Sequence, residues 1–327
     1  YSIFDNPNLQ VTFLNKKKER INGRIVDLLK EYSFSDIEEG LQSLIAPKDA
    51  KSIISRIKPD DSYLQETDTF DTWFSSGHWP LVTLGYPNSD DFNYFYPTSV
   101  METGWEIIRF WVSRMIMFGM YLTGKPPFSC VYLHGLVRAV DGKKMSKSLG
   151  NVIDPLDYVN EYGADALRMG LISGTANGKD FAFPKDKVIA YRNFANKLWN
   201  MARFMLMLTE NNEVIEYKEG NDKDLKDSDK EIIQKLKDLI DGVDSSLEKF
   251  RFSDASDLIY QFMWHEVADG YIEHVKTRED KGVALGVLKY VFTTGLKVLH
   301  PFMPFVTEAI WNSVGDDNLL IENSWPN

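Results

Sequence analysis

Apolar residues recur along this chain with spacings that change near positions 66 and 184. In NKKKERINGRIVDLLKEY, Ile21, Ile25, Leu28 and Leu29 follow a helical spacing, which predicts a helix. SDIEEGLQSL opens with a capping-box pattern, Ser35 followed by Glu38, and predicts another. PKDAKSIISRIKPDD is polar and proline-bounded, as a connector would be. From 66 to 183 the chain is aromatic-rich, with short apolar runs broken by Gly and Pro. CVYLHGLVRAV (130–140) is β-branched and aromatic and predicts a buried strand. GWEIIRFWVSRMIMFGMYL (104–122) places Ile107, Ile108, Trp111, Met115 and Phe118 at helical spacing, which predicts a helix with a wide buried face. GNVIDPLDYVNEYGADALRMGLI predicts a short helix from near Asp154–Pro155 and then a second turn from Gly163. Helix, strand and a following polar loop suggest an α/β sheet domain.

Residues 184–327 read as helical throughout. A long helix from Pro184 carries Tyr191, Phe194, Ala195, Leu198, Ala202 and Met205 on one face. The charged run EYKEGNDKDLKDSDKE follows as a solvated loop. Further helices are predicted near 229–248, 254–276 and 281–299, with Ser253 as the cap of the second of these. Pro301 ends the last, and Pro304 opens a short helix through Trp311 that stops near Gly315. This pattern predicts a helix bundle.

The length, 327 residues, suggests two domains rather than one. A formal net charge of −11 argues against a surface coated with basic charge, but leaves room for a local phosphate-binding patch. Cys130 is the single cysteine, so neither a disulfide framework nor a cysteine-rich zinc site is possible, and a reducing compartment is expected. His265 and His274 lack metal-ligand partners at helical spacing, and no zinc site is read there. The start, YSIFDNPNLQ, has no signal-peptide pattern, and no run approaches the ~18 apolar residues of a membrane span. A cytoplasmic protein without membrane contact is expected. The absence of an initial Met hints at a piece of a longer chain.

The stretch with the most chemistry is DGKKMSKSLGN (141–151), directly after the predicted strand. Asp-Gly supplies a tight turn, and loops that follow strands of open α/β sheets are where ligands bind. Lysine ammonium groups suit phosphate oxygens, and serine hydroxyls add donors. Such a loop could hold a triphosphate and stabilise the charge that develops as pyrophosphate leaves. A solvated basic turn is the alternative reading of the same composition. The stretch lacks the GxxxxGK[ST] arrangement of a Walker loop.

The string KMSKS (144–148) is similar to the second signature of the class I aminoacyl-tRNA synthetases. Its flanks, from VYLHGLVRAV through NEYGADALR (131–168), resemble the valine, isoleucine and leucine subgroup. DTWFSSGHWPLVTLGYP (71–87) and YPTSVMETGWEIIRFWVSRMIMFG (96–119) resemble its valine-specific branch; the isoleucine branch normally carries a Ser-Asp-Gln-His run in the second place. YRNFANKLWNMARF (191–204) and LKVLHPFMPFVTEAIW (296–311) are similar to the anticodon-binding domain of the same enzymes, so the resemblance covers roughly 66–315. It implies α/β plus all-α architecture: the second half of a Rossmann-like class I catalytic domain at 66–183, then a helix-bundle anticodon-binding domain at 184–327. Residues 1–65 would be a divergent connector, either the tail of the editing insertion or a divergent replacement.

By the same resemblance, ATP with Mg²⁺ and valine are substrates, tRNA(Val) is the acceptor, and no metal is held by the protein itself. Lys144 and Lys147 would neutralise the phosphates, Lys147 in the transition state, while Met145, Ser146 and Ser148 complete the loop. His134 and Gly135 would lie beside the adenine, although His134 also reads as a structural histidine. Gly104 would admit the nucleotide to the backbone. Glu106 would accept from the ribose hydroxyls, in a place where the family more commonly has Asp; an exposed carboxylate at a helix start is the other reading. Trp73, Ile107 and Trp111 would wall the valine pocket, though buried tryptophans more often simply pack. Such a pocket excludes larger side chains by overlap and discriminates isosteres poorly. Arg192, Asn196, Trp199 and Arg203 could touch the tRNA backbone, or form a solvated face.

The first class I signature, His-x-Gly-His, does not occur, since the histidines stand only at 78, 134, 265, 274 and 300. A fragment or split-gene subunit that needs a separate N-terminal catalytic half is therefore expected. A non-catalytic tRNA-binding module and an isoleucine- or leucine-type ligase fragment are the alternatives.

Overall fold

Where a helix is expected around Ile21, the chain makes a hairpin. In the computed structural model, which describes residues 1–220, 223–314 and 318–326, strand β1 (Gln10–Leu14) pairs antiparallel with β2 (Arg20–Arg24), placing Ile21 opposite Phe13. Asn15 makes the reversal: its Oδ1 accepts from the backbone N–H of Lys17 at 2.9 Å and of Glu19 at 3.0 Å. Helix α1 (Ile25–Leu28) is a single turn, and α2 (Phe34–Glu39) is capped by Ser33, whose hydroxyl accepts from Asp36 N at 3.1 Å, rather than by Ser35. Strand β3 (Leu41–Ile45) adds to the other edge of β1, giving the order β2-β1-β3. Leu9, Val11, Phe13, Ile25, Ile37, Leu44 and Leu64 form a core of their own beneath this sheet. Residues 46–71 contain no helix or strand, and Ile53, Ile54 and Ile57 are exposed.

By its contacts the chain divides into two compact units, Tyr1–Pro97 with Arg109–Pro127, and Thr98–Ile108 with Phe128–Asn327. The first unit also holds α3 (Thr72–Gly77), α4 (Trp79–Val82), α5 (Asp90–Phe95) and α6 (Ser113–Thr123). Helix α6 starts nine residues later than the sequence suggests, at Ser113, because Gly104 closes a strand and is followed by a 3₁₀ turn (Trp105–Ile107) and a π-helical turn (Ile108–Val112). The expected wide buried face is absent among the described residues: of the five apolar positions only Met115 is buried, and Ile108 is exposed. Ile116, Met117, Met120 and Tyr121 of α6 are exposed as well, together with Trp79 and Val82 of α4 and Tyr94 and Phe95 of α5.

In the second unit, β4 (Thr98–Gly104) and β5 (Phe128–His134) pair in parallel, in register from Thr98 opposite Phe128 to Gly104 opposite His134. The chain between them includes α6, a connection of the length that parallel strands require. Two short strands, β6 (Val137–Arg138) and β7 (Phe181–Ala182), also pair in parallel. The strand expected at 130–140 is thus β5 and β6, half-buried rather than buried, with a break at Gly135. Helix α7 (Pro155–Tyr162) is capped by Asp154, which accepts from Leu156 N at 2.9 Å, and α8 (Ala164–Ile172) follows Gly163.

The remaining helices are α9 (Lys185–Glu210), α10 (Asp227–Glu248), α11 (Phe252–Gln261), α12 (Ile272–Lys276), α13 (Lys281–Leu299) and α14 (Pro304–Ser313). The last five residues of the charged run, expected as loop, are the start of α10. A ten-residue π-helical stretch (Phe262–Tyr271) joins α11 to α12, so 254–276 is not one regular α-helix. Ser253 is not the cap: α11 begins one residue earlier, after Arg251. The expected stop at Gly315 lies outside the described residues. Helix α13 is long and apolar enough to cross a membrane, but 67% of that stretch is buried in the protein, as in the core helix of a bundle. Phe194, Leu198, Ile240, Met263, Leu288, Phe292 and Trp311 are among the side chains of its core.

One charged cluster has its centre buried in the bundle. Arg278, with a side chain 3% exposed, pairs with the fully buried Asp229 at 2.6 Å and with Asp280 at 2.6 Å. Tyr271 donates its hydroxyl to Asp229 at 2.6 Å, and Lys226 pairs with Asp280 at 2.9 Å. Burial alone would raise the pKa of Asp229, but the bonds from Arg278 and Tyr271 outweigh it and hold the carboxyl below its ordinary value. Asp280 is held lower still by Arg278.

Candidate functional site

The lysine loop leaves β6 through a turn at Asp141–Gly142, where Gly142 has a φ of 77°, a conformation that side chains with a Cβ rarely adopt. Gly142 N donates to Ala139 O at 2.8 Å and Ala139 N to Lys143 O at 3.0 Å. Asn151 closes the loop, accepting from Ser146 N at 2.9 Å and donating to Lys144 O at 3.3 Å. Between these clamps Met145 is half-buried, the hydroxyls of Ser146 and Ser148 stand 3.1 Å apart, and Lys147–Leu149 form a 3₁₀ turn. Lys143 pairs with Asp141 at 3.2 Å; among the described residues no carboxylate pairs with Lys144 or Lys147, and both are exposed. The loop therefore presents two uncompensated ammonium groups on a backbone fixed at both ends. That arrangement can receive a polyanion with little loss to internal ion pairing.

The carboxyl ends of β4 and β5 carry the other nucleotide candidates. Gly104 stands opposite His134 in the parallel register. The imidazole Nε2 of His134 lies 3.1 Å from Glu102 Oε1, and its Nδ1 lies 2.8 Å from Gly135 O, so both ring nitrogens face oxygen acceptors. The Glu106 carboxylate curls back over Gly104: a Cβ placed there would stand 2.5 Å from Glu106 Oε2. The group that approaches Gly104 in this structure is thus the side chain two residues on, and the extra methylene of Glu over Asp supplies the reach. Gly135 has a different reason to be glycine, since a Cβ there would meet Lys179 O at 1.8 Å.

In the first unit Trp73 lies on α3 and Trp111 on the π-helical turn that precedes α6. The Trp111 indole N–H donates to Ser76 O at 2.9 Å, and Trp73 stacks on Phe110 with ring centroids 5.5 Å apart. Both are half-buried. Ile107 is half-buried on the 3₁₀ turn after β4 and belongs to the second unit. A cavity of about 490 Å³ in the first unit, lined by residues such as Glu38, Ile53, Arg56, Lys58 and Tyr63, includes none of the candidates.

Three residues of the second unit escape the sequence reading. Glu102 meets His134, as above. Asp180 accepts from the Trp105 indole at 3.0 Å, from Leu136 N at 2.8 Å and from Arg138 Nε at 2.8 Å. The Leu136 amide, then Trp105 and Arg138, hold the Asp180 carboxyl down at about 2. The signal for Arg138 is legible in retrospect: a lone cation inside the apolar run VYLHGLVRAV needs an anion. Nothing in the sequence says that the anion is 42 residues away.

A family model described as tRNA synthetases class I (I, L, M and V) matches residues 13–184, and one described as the anticodon-binding domain of tRNA ligase matches 229–327. The chain is 46% identical over 270 residues to the valine–tRNA ligase of Clostridium acetobutylicum and 44% identical over 280 residues to that of Staphylococcus saprophyticus. These alignments cover 80% and 82% of the chain, but only 30% and 32% of the two relatives, so the chain spans about a third of the length of the curated relatives it matches. Among solved structures it is similar to a ternary LeuRS–tRNA–LeuAMS complex from Agrobacterium radiobacter K84, with a TM-score of 0.70 at 25% identity over 82% of this chain and 34% of that one. A methionyl-tRNA synthetase of Mycobacterium tuberculosis in complex with methionyl-adenylate shares the fold, with a TM-score of 0.61 at 21% identity over 72% and 48% of the respective chains. The α/β part with its lysine loop and the helix bundle behind it each have their counterpart, and the chain belongs to the class I tRNA synthetases of the I, L, M and V group.

Proposed function

We propose that this chain is the part of a valine–tRNA ligase that carries the lysine loop and the anticodon-binding bundle. In the proposed reaction a valine carboxylate oxygen attacks the α-phosphorus of ATP, the bond to the β-phosphate oxygen breaks, and valyl-adenylate and pyrophosphate result; the valyl group then passes to tRNA(Val). Lys144 and Lys147 neutralise the departing pyrophosphate, which gathers negative charge in the transition state. Glu106 accepts from the ribose hydroxyls, and His134 with Gly135 borders the adenine. Trp73 and Trp111 wall the pocket for the aliphatic side chain. Magnesium enters with ATP as its counter-ion; among the described residues no three His, Cys, Asp or Glu side chains gather to hold one. Residues 66–183 supply the catalytic part and 184–327 the tRNA-facing bundle, with the remainder of a longer enzyme as the other participant.

The observation that carries this reading is 43–46% identity to valine–tRNA ligases across at least 80% of the chain, together with two unpaired lysines in KMSKS. The test is pyrophosphate exchange. The purified chain is incubated with ATP, Mg²⁺, valine and labelled pyrophosphate, alone and with a polypeptide comprising the remainder of the C. acetobutylicum relative. Exchange is expected only in the mixture, with valine preferred over isoleucine and leucine. Equal exchange with leucine would refute the substrate. No exchange in any mixture, with tRNA binding retained, would favour a non-catalytic tRNA-binding module.

A further inference from the structure

We propose that Asp180 is a positioning residue that locks the lysine loop to the segments bearing Glu106 and His134, so that the nucleotide meets a preset spacing of cations and acceptors. The inference rests on the nucleotide reading of the loop given above. Its ground is that one carboxylate ties three segments, each adjoining a candidate residue. Oδ1 accepts from the Trp105 indole, next to Glu106, and from Leu136 N, directly after His134 and Gly135. Oδ2 accepts from Nε and a terminal nitrogen of Arg138. Arg138 is at the neck of the loop: it bridges antiparallel to Lys144, and its other terminal nitrogen lies 3.4 Å from Gly142 O.

Both oxygens of Asp180 are thus occupied, and its side chain is only 16% exposed. A carboxylate so saturated, and held ionised far below neutrality, is unfit to carry a proton. Its work is geometric. It is also delivered on a rigid approach. Asp180 directly precedes β7, whose pairing with β6 sets Val137 opposite Phe181, and the backbone of Lys179 comes so close to Gly135 that no Cβ fits between them. Asparagine at 180 would keep an oxygen for Trp105 and Leu136 but turn an amide N–H₂ toward the Arg138 guanidinium, releasing the loop arm alone.

The test compares wild type, Asp180→Asn and Arg138→Met in the reconstituted exchange reaction, and follows tryptic cleavage after Lys143, Lys144 and Lys147 in the chain by itself. Misplacement of a charged group by around an ångström costs up to ~100-fold in rate. The expected result for either variant is a fall of about 10–100-fold in kcat/KM for ATP, with KM for valine within about twofold. Loop cleavage should be several-fold faster and the melting temperature of the bundle unchanged. The double variant should lose no more than the worse single, because both act on one bond. The proposal is overturned if Asp180→Asn leaves loop cleavage and KM for ATP as in wild type, or if activity merely follows the folded fraction. If wild type itself shows no exchange, the ligase reading fails, and the cleavage rates still decide whether Asp180 holds the loop.

Discussion

Lys147→Ala is expected to lower kcat of valine-dependent pyrophosphate exchange by about 100–1000-fold, the loss seen when a preorganised donor to developing charge is removed. The KM for valine should stay within about twofold, because in the proposed reaction this amine serves the phosphates and not the amino acid. The physical reason lies in the loop's charge accounting. Lys143 is already paired with Asp141, so Lys143→Ala should change exchange by less than about threefold, as expected for an exposed pair of small net worth. Lys144 and Lys147 have no such partner among the described residues, so in the proposed reaction their charge would meet the pyrophosphate without a competing carboxylate. Lys147→Arg should recover only part of the loss. Guanidinium keeps the charge but replaces a compact point donor with a planar fork, and the clamp of Asn151 on Ser146 and Lys144 fixes where the side chain begins. Equal exchange by wild type and Lys147→Ala would remove the loop from the chemistry.

Arg278→Ala is expected to destabilise the helix bundle by about 3–5 kcal/mol, the cost of stranding a buried charge. The variant leaves Asp229 fully buried with the Tyr271 hydroxyl as its main remaining side-chain partner. Chemical denaturation monitored by far-UV circular dichroism gives the value. Acid sensitivity follows from the same cluster. Asp229 and Asp280 have folded-state pKa values below their ordinary ones. Their contribution is therefore complete above the ordinary carboxylate value of about 4 and is lost as pH falls below it. Wild-type stability should drop through that range, and the Arg278→Ala curve should be flatter there. Parallel pH curves for the two proteins would show that the cluster does not set acid stability.

The helical bundle was largely legible because its elements are long. Over the 26 residues of α9 a 3.6-residue period has room to declare itself, and Pro184 and Pro304 mark helix starts without ambiguity. The first sixty or so residues were not. Strand β1 buries Val11, Thr12 and Phe13 in succession, so it lacks the alternation that announces a strand, and the five residues of β2 are too few to oppose the helical spacing of Ile25, Leu28 and Leu29. At 104–122 three backbone geometries succeed one another, and a single helical period fitted across them gave a false face. Within the site, the lysine loop was readable as a contiguous string. Glu102, Arg138 and Asp180 were not, because their bonds join positions 32 to 75 residues apart, and no local pattern encodes a tertiary partner.

The bare apolar side chains of the first unit also govern how this polypeptide behaves in a tube. Trp79, Val82, Tyr94, Met117 and Tyr121 each leave more than half their surface to water. Such surface adsorbs hydrophobic dyes such as ANS, drives concentration-dependent clumping, and gives chaperones a handle on the freshly made chain. The formal charge of −11 opposes that tendency by mutual repulsion, and salt screens the repulsion. Purified alone, the protein is therefore expected to stay dispersed longest in dilute, low-ionic-strength buffer, and added salt to hasten its clumping.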